Sequence, residues 1–356
     1  MPDRRLVGCV FFLALGGLGS SASPETTQVS SDWTVFATGL TNPRHVRAGP
    51  GSALYVAEAG IGGDQLATCE PVDNYSTQPG PYMAGYSGRT SKVLSDGTRE
   101  TVASGLPSAR NGYGNALGPS DIAWLGGAMY VVLEGGGCSR GLPNDPAGIA
   151  RINEDGTYTL VADISAFVRA NPVASEPACG PGGDCEPDGV PHSLLAGNKR
   201  LLVVETNHNS ILRVDPKTGA IERLFDLSAQ DPAPTILIRN GTQYLLGFFD
   251  GLIQRFDQKF SQVRPFDSGY GPIVDMTTIR KDLYVLETFS GDVPFEPESG
   301  RVIRRGTNGV REIVASGLDF PIGMTRGSDG ALYVSTVSYG QGPVPGLGQI
   351  VRIDVP

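Results

Sequence analysis

The chain ends one strand short. Its 356 residues carry a recurring unit: a turn with proline, an apolar strand, a second strand closing on an acid or a threonine, then a third strand and a fourth. The second strands read "ALYVAE" to Glu58, "AMYVVLE" to Glu134, "RLLVVE" to Glu205, "QYLLGFFD" to Asp250, "DLYVLE" to Glu287 and "ALYVST" to Thr336. A third strand follows each of these six, and Asp-Gly and Asn-Gly pairs mark tight hairpins at several of their ends. Only five fourth strands follow: "RETVASGL", "YTLVADI", "AIERLFDL", "SQVRPFD" and "REIVASGL". The sixth stands at the front of the chain, where "WTVFATGL" from Trp33 matches "REIVASGL" from Arg311.

A ring of sheets accounts for this displacement. A circular array must close, and a first strand that pairs with the last sheet removes an open edge. The two ends of the chain are then neighbours, which is why "TGLTNPRHVRAGPGSALYVAEAG" from Thr38 returns as "SGLDFPIGMTRGSDGALYVSTVS" from Ser316. The predicted fold is all-β: a six-bladed β-propeller of four-stranded antiparallel blades, closed by the N-terminal strand. With 49 glycines and 27 prolines, the composition fits many short strands joined by turns. A sandwich or two separate domains would leave the long-period self-similarity unexplained.

Residues 1–22 read as a signal peptide. Arg4 and Arg5 precede the apolar run "LVGCVFFLALGGLG", and the small residues "SSAS" follow. Residues 23–32 read as a short linker and 33–356 as the propeller, giving a secreted or periplasmic monomer with no membrane span. Loss of Cys9 with the signal leaves Cys69, Cys138, Cys179 and Cys185, an even number that reads as disulfides in an exported chain. Three pairings are open. The favoured one closes the short loop "CGPGGDC" between Cys179 and Cys185 and joins Cys69 to Cys138. No C-x-x-C spacing supports zinc. A net charge of −9 offers no basic stripe for nucleic acid.

Insertions follow the second strand in the first, second, fifth and sixth units, and precede the first strand of the second and third. In a propeller both connection types emerge around one mouth of the channel, the expected place for a ligand. All three histidines map to this rim: His45, His192 and His208. Asp121, Asp275 and Thr235 take related positions at the start of inner strands. Arg44 suits an anionic group or a rim acid. The expected ligand-binding residues are therefore Arg44, His45, Asp121, His192, Thr235 and Asp275. The strand-ending acids have two readings. For Glu58, Glu134 and Glu287 the favoured one is structural, with the carboxylate accepting backbone amides of the neighbouring turn. The competing reading is an axial calcium or zinc site built from Glu58, Asp121, His192, Glu205, Asn207 and Asp275, whose metal would polarise a carbonyl or activate water. No G-x-S-x-G elbow, Walker loop, H-E-x-x-H helix or EF-hand loop occurs.

The segments "FATGLTNPRHVRAGPGSALYVAEAG", "GPSDIAW", "ADISAFVRANP", "DGVPHSLL", "APTILI", "IVDMTTIRKDLYVLE" and "FPIGMTRGSDGALYVST" resemble the ScyD/ScyE family of exported bacterial proteins across essentially the whole mature chain. "VVETNHNSILRVD" is similar to an NHL-repeat signature, with Glu205 where that repeat usually has Asp. The resemblance implies an NHL-like six-bladed propeller and brings no catalytic residues with it. More distant likenesses are to the SMP-30/gluconolactonase-like hydrolases, with an axial divalent metal, and to quinone-dependent sugar dehydrogenases. The expected function is binding of an unknown small molecule or protein on the insertion-rich face. The alternative is a metal-dependent lactone or ester hydrolase, and the third is a quinone-dependent oxidoreductase.

Overall fold

The computed structural model describes residues 26–28, 33–67, 82–112, 114–178, 185–290, 296–338 and 344–355. The described residues form six sheets whose blade strands are antiparallel, and in five of them the four blade strands run in chain order from the axis outward. Blade 1 comprises Pro43–Ala48, Leu54–Glu58, Met83–Val93 and Arg99–Arg110. Blade 2 comprises Pro119–Leu125, Ala128–Leu133, Gly148–Ile152 and Tyr158–Asp163. The inner strands of blades 3, 4 and 5 are Pro191–Gly197, Pro234–Asn240 and Ile273–Ile279.

Blade 6 closes the ring as expected. Met324–Arg326, Leu332–Thr336 and Gly348–Ile353 are completed by the N-terminal strand Trp33–Leu40, which pairs Trp33 with Ile353 and Leu40 with Gly348. Trp33 also donates its indole N–H to Ser316 O at 3.0 Å, tying the closing strand to blade 5. Thr26–Gln28, read from the sequence as linker, adds a short parallel strand to the outer edge of blade 5, with Thr26 opposite Arg311.

Each blade is covered on both faces by its neighbours, so the second strands are apolar on both faces. Arg200–Glu205 is buried at every position after the first. Between blades 5 and 6, Val274, Leu286, Val302, Leu332, Val334 and Val351 form one such interface. Burial of side chains of this size stabilises the fold by about 1.5–3 kcal/mol each. A glycine repeated in the third strands has a steric cause. A Cβ on Gly88, Gly300 or Gly348 would lie 2.6, 2.4 or 2.3 Å from the ring of Pro119, Pro321 or Pro43, a proline at or just before the start of the next inner strand.

One departure is helical. Ile164–Ala170 follows blade 2 as an α-helix, capped by Asp163, whose side chain accepts the Ala166 N–H at 2.7 Å. No helix among the described residues is long and apolar enough to cross a membrane. The expected signal peptide, Cys69 and Cys179 lie outside the described residues.

Candidate functional site at the propeller axis

A β-bulge near the start of the inner strand recurs in blades 1 to 5, between Pro43 and Val46, Pro119 and Ile122, Pro191 and Ser193, Pro234 and Ile236, and Ile273 and Asp275. A bulge bends the strand and re-aims its side chains. Here it turns the residues after the opening position toward the axis and toward the next blade.

Several of these residues join the ring. His45 Nδ1 lies 2.9 Å from Ser120 O, and Ser120 Oγ donates to His192 O at 2.8 Å. Asp121 accepts the Leu194 N–H, Thr206 donates to Pro234 O, and Asp275 accepts the Met324 N–H. Thr235 Oγ1 lies 2.8 Å from Ile273 O and 3.1 Å from Gly247 O, donating to one at a time. Ser335 Oγ completes the circle by donating to Arg44 O at 2.6 Å. These bonds carry the ring from one blade to the next.

The centre is closed by a cation from the chain itself. Arg47 grips Asp121 with Nε and Nη2, both at 2.8 Å, and reaches Asp275 with Nη1 at 2.7 Å. Burial works against the Arg47 charge, but the facing carboxylates more than offset it and hold the guanidinium protonated. Burial would raise Asp121 too, yet Arg47 and its other partners keep it below the usual carboxylate range. Asp275, with fewer compensating contacts, is pushed up by burial to about 6. Burial likewise drives His45 down to about 3, so its imidazole is neutral.

Beside this plug lies a cavity of about 50 Å³ lined by Arg44, Tyr82, Asn111, Asn115, Leu117, Glu134, Val190, His192, Thr206, Thr235, Phe249 and Val274. His192 Nδ1 is 2.6 Å from Glu134 Oε1, and Arg44 Nη2 is 3.5 Å from Glu134 Oε2. The His45 and His192 rings meet edge to face at 5.2 Å. The insertions interlock around the mouth: Tyr82 donates its hydroxyl to Glu186 at 2.7 Å, and Arg140 holds the other Glu186 oxygen at 3.0 Å. Cys138 and Cys185 stand in the same two loops as Arg140 and Glu186. A wider groove of about 660 Å³ lies at the opposite ends of the strands of blades 3 and 4. Its arginines pair with its own acids, Arg200 with Asp215 and Arg213 with Glu222, and it contains none of the candidate residues.

The ligand candidates therefore divide. Arg44, His192 and Thr235 line the cavity, whereas His45, Asp121 and Asp275 join blades or hold the plug. Glu58 accepts the Thr41 N–H at 2.7 Å and is gripped by Arg89 and Ser91. Glu205 accepts the N–H groups of Val190 and His208 at 2.6 and 2.7 Å and is held below its ordinary pKa; burial opposes this, but His208 prevails. Asn207 accepts the Glu186 N–H at 3.0 Å, and Glu287 the Gly271 N–H at 2.8 Å. His208 pairs with Glu205 at 3.2 Å, away from the cavity lining.

The expected structural role thus fits Glu58 and Glu287 but not Glu134, which turns to His192 and Arg44. The cause is one residue. Glu58 and Glu287 come three positions after Tyr55 and Tyr284, but Glu134 comes four after Tyr130. The extra residue leaves Leu133 opposite Pro119, where Glu58 stands opposite Pro43 and Glu287 opposite Ile273, and puts Glu134 one place beyond the strand. A one-residue slip sends a side chain to the other face.

The donors do not fit a divalent cation. Asp121 already accepts four hydrogen bonds, from Arg47 twice and from the Ile122 and Leu194 N–H groups, which fills its acceptor sites. Glu58 and Glu205 are committed to turns. Among the described residues no group of three or more His, Cys, Asp or Glu is placed to hold a metal.

No protein-family model matches the chain. No curated protein matches it in sequence. Among solved structures it is similar to a calcium-binding protein, regucalcin, from Agrobacterium tumefaciens str. C58, with TM-score 0.56 and 13% identity over 93% of this chain and 98% of that one. It is also similar to a structural-genomics protein of unknown function from Bacteroides thetaiotaomicron VPI-5482, with TM-score 0.53 and 11% identity over 92% and 75%. A third is a proposed oxidoreductase, a glucose dehydrogenase, from Thermus thermophilus, with TM-score 0.52 and 16% identity over 91% and 100%. At these identities the likeness is one of fold: this chain is a six-bladed β-propeller.

Proposed function

We propose that this chain is an exported binding propeller whose site is the axial cavity on its loop-rich face, and that its ligand is a small molecule with a carbonyl or carboxylate end group. The support is convergence: Arg44, Tyr82, Asn111, Asn115 and His192 meet around a recess walled by Leu117, Val190, Phe249 and Val274. A few placed polar groups in an apolar recess are what ligand sites share. About 50 Å³ holds roughly four waters or an acyl group of that size, so the cavity takes the end of a ligand and the loops its remainder. Kinship with the ScyD/ScyE family, the signal peptide over 1–22 and the pairing of Cys69 with Cys138 and Cys179 with Cys185 belong to the same proposal.

The likeness to regucalcin supports a second reading, a lactone or ester hydrolase with a calcium or zinc ion, but the committed carboxylates speak against the metal. The likeness to the Thermus protein supports the quinone reading, which the small cavity does not favour. The test is ligand-observed NMR on the mature, EDTA-treated protein with δ-valerolactam and propionate as probes, repeated on Val190→Phe, which fills the cavity. Saturable binding of either probe, weakened about tenfold or more in the variant, is expected. No saturable binding of both, or equal binding by the variant, overturns the proposal.

A further inference from the structure

The cavity contains a pair of groups that binding alone does not require. Glu134 is fully buried, and its Oε1 lies 2.6 Å from Nδ1 of His192. In a neutral imidazole this contact places the proton on Nδ1, donated to the carboxylate, and leaves a lone pair on Nε2. His192 lines the cavity, and its only hydrogen bond through a ring nitrogen among the described residues is the one to Glu134. Arg44 lines the same cavity, 3.5 Å from the other Glu134 oxygen. A base oriented by a third group, beside a fixed positive charge, is the arrangement that acyl-transfer chemistry needs.

We infer that His192 is a general base, positioned by Glu134, for metal-independent hydrolysis of a small lactone or ester at this cavity, with Arg44 stabilising the oxyanion. The inference rests on the cavity being the ligand site. Nε2 takes a proton from water as the water oxygen bonds to the acyl carbon, and the carbonyl π pair moves onto its oxygen beside Arg44. That pair then re-forms the carbonyl, the bond from carbon to the leaving oxygen breaks, and the imidazolium proton passes to that oxygen. A lactone yields a hydroxy acid, an ester an acid and an alcohol, with no change of oxidation state. The Glu134 carboxylate offsets the imidazolium charge.

The experiment uses the full mature protein in EDTA with δ-valerolactone and phenyl acetate, read by proton release, and δ-valerolactam binding by NMR on the same samples. Saturable turnover is expected. It falls about 100-fold or more in kcat in His192→Gln and in His192→Asn, with melting curves reporting that each is folded. Glu134→Gln lowers kcat about tenfold or more with KM within about threefold, and moves the acid limb of kcat/KM to lower pH because the imidazolium loses its counter-charge; a merely structural role would leave that limb in place. Turnover unchanged in a folded His192 variant, an unmoved limb in Glu134→Gln, or lactam binding without turnover overturns this inference and leaves the binding proposal standing. Absence of turnover together with absence of saturable binding of both lactam and propionate overturns both.

Discussion

Replacing Arg47 with alanine removes the only side-chain cation that contacts Asp121 and Asp275 among the described residues. Both carboxylates are 0% exposed, while Arg47 is 19% exposed. Each acid keeps its backbone donors, Ile122 and Leu194 N–H for Asp121 and Met276 and Met324 N–H for Asp275. Breaking a buried pair by removing one partner costs about 3–5 kcal/mol, because the remaining charge is stranded. The cost depends on pH. Burial already lifts Asp275 to about 6 with Arg47 present, and loss of the cation lifts it further. An acid whose folded pKa lies above its unfolded value contributes stability at low pH that is lost as pH rises through the folded pKa. The variant therefore gains over a wider range on acidification than the parent, at about 1.4 kcal/mol per pH unit. Urea unfolding at pH 7.5 and 5.5 measures this. A deficit of about 4 kcal/mol at the higher pH, smaller by about 2 kcal/mol at the lower, is expected. A deficit below about 1 kcal/mol, or one equal at the two pH values, would refute the view that Arg47 neutralises the axis.

Two further substitutions separate scaffold from site. Glu58→Gln weakens bonds to Thr41, Arg89 and Ser91 and lowers unfolding free energy by about 3 kcal/mol, leaving lactam binding unchanged; a binding defect would place Glu58 in the site. His45 is held neutral, at about 3 against an ordinary 6.5, chiefly by burial. Its stabilising contribution is present above the unfolded value and is lost as pH falls from 6.5 toward about 3, on the order of 5 kcal/mol in all. His45→Asn removes that term, so its acid-unfolding midpoint by near-UV circular dichroism shifts to lower pH relative to its stability at pH 7. A midpoint that tracks neutral stability alone would contradict the assignment.

The ring was legible because its signals are local and repeated. Apolar strands, hairpin turns and the displaced strand Trp33–Leu40 each stand in the linear sequence. The rim was legible too, since inner-strand positions repeat: Arg44, His192 and Thr235 line the cavity. What stayed hidden depends on contacts between blades. Nothing near Arg47 announces that Asp121 and Asp275, 74 and 228 positions away, will claim it. The different role of Glu134 was written as one extra residue after Tyr130, but its meaning comes from the pleat, where a single slip reverses a side chain. Tyr82, Asn111, Asn115 and Phe249 lie in irregular connections whose course no periodicity fixes. The helix Ile164–Ala170 had its signal in the cap, an aspartate opening "DISAFVRA" at the end of a strand.

The most direct test of the axis is calorimetric titration of the mature, EDTA-treated protein with calcium chloride and with zinc chloride. With Arg47 as the resident cation, neither metal should give a saturable one-to-one isotherm, and the melting temperature should be the same with and without either ion. One tightly held ion per chain that is lost in Asp121→Asn or Asp275→Asn would contradict the account. It would mean that Arg47 yields those carboxylates to a metal, and that the axis, rather than the cavity beside it, is the working centre.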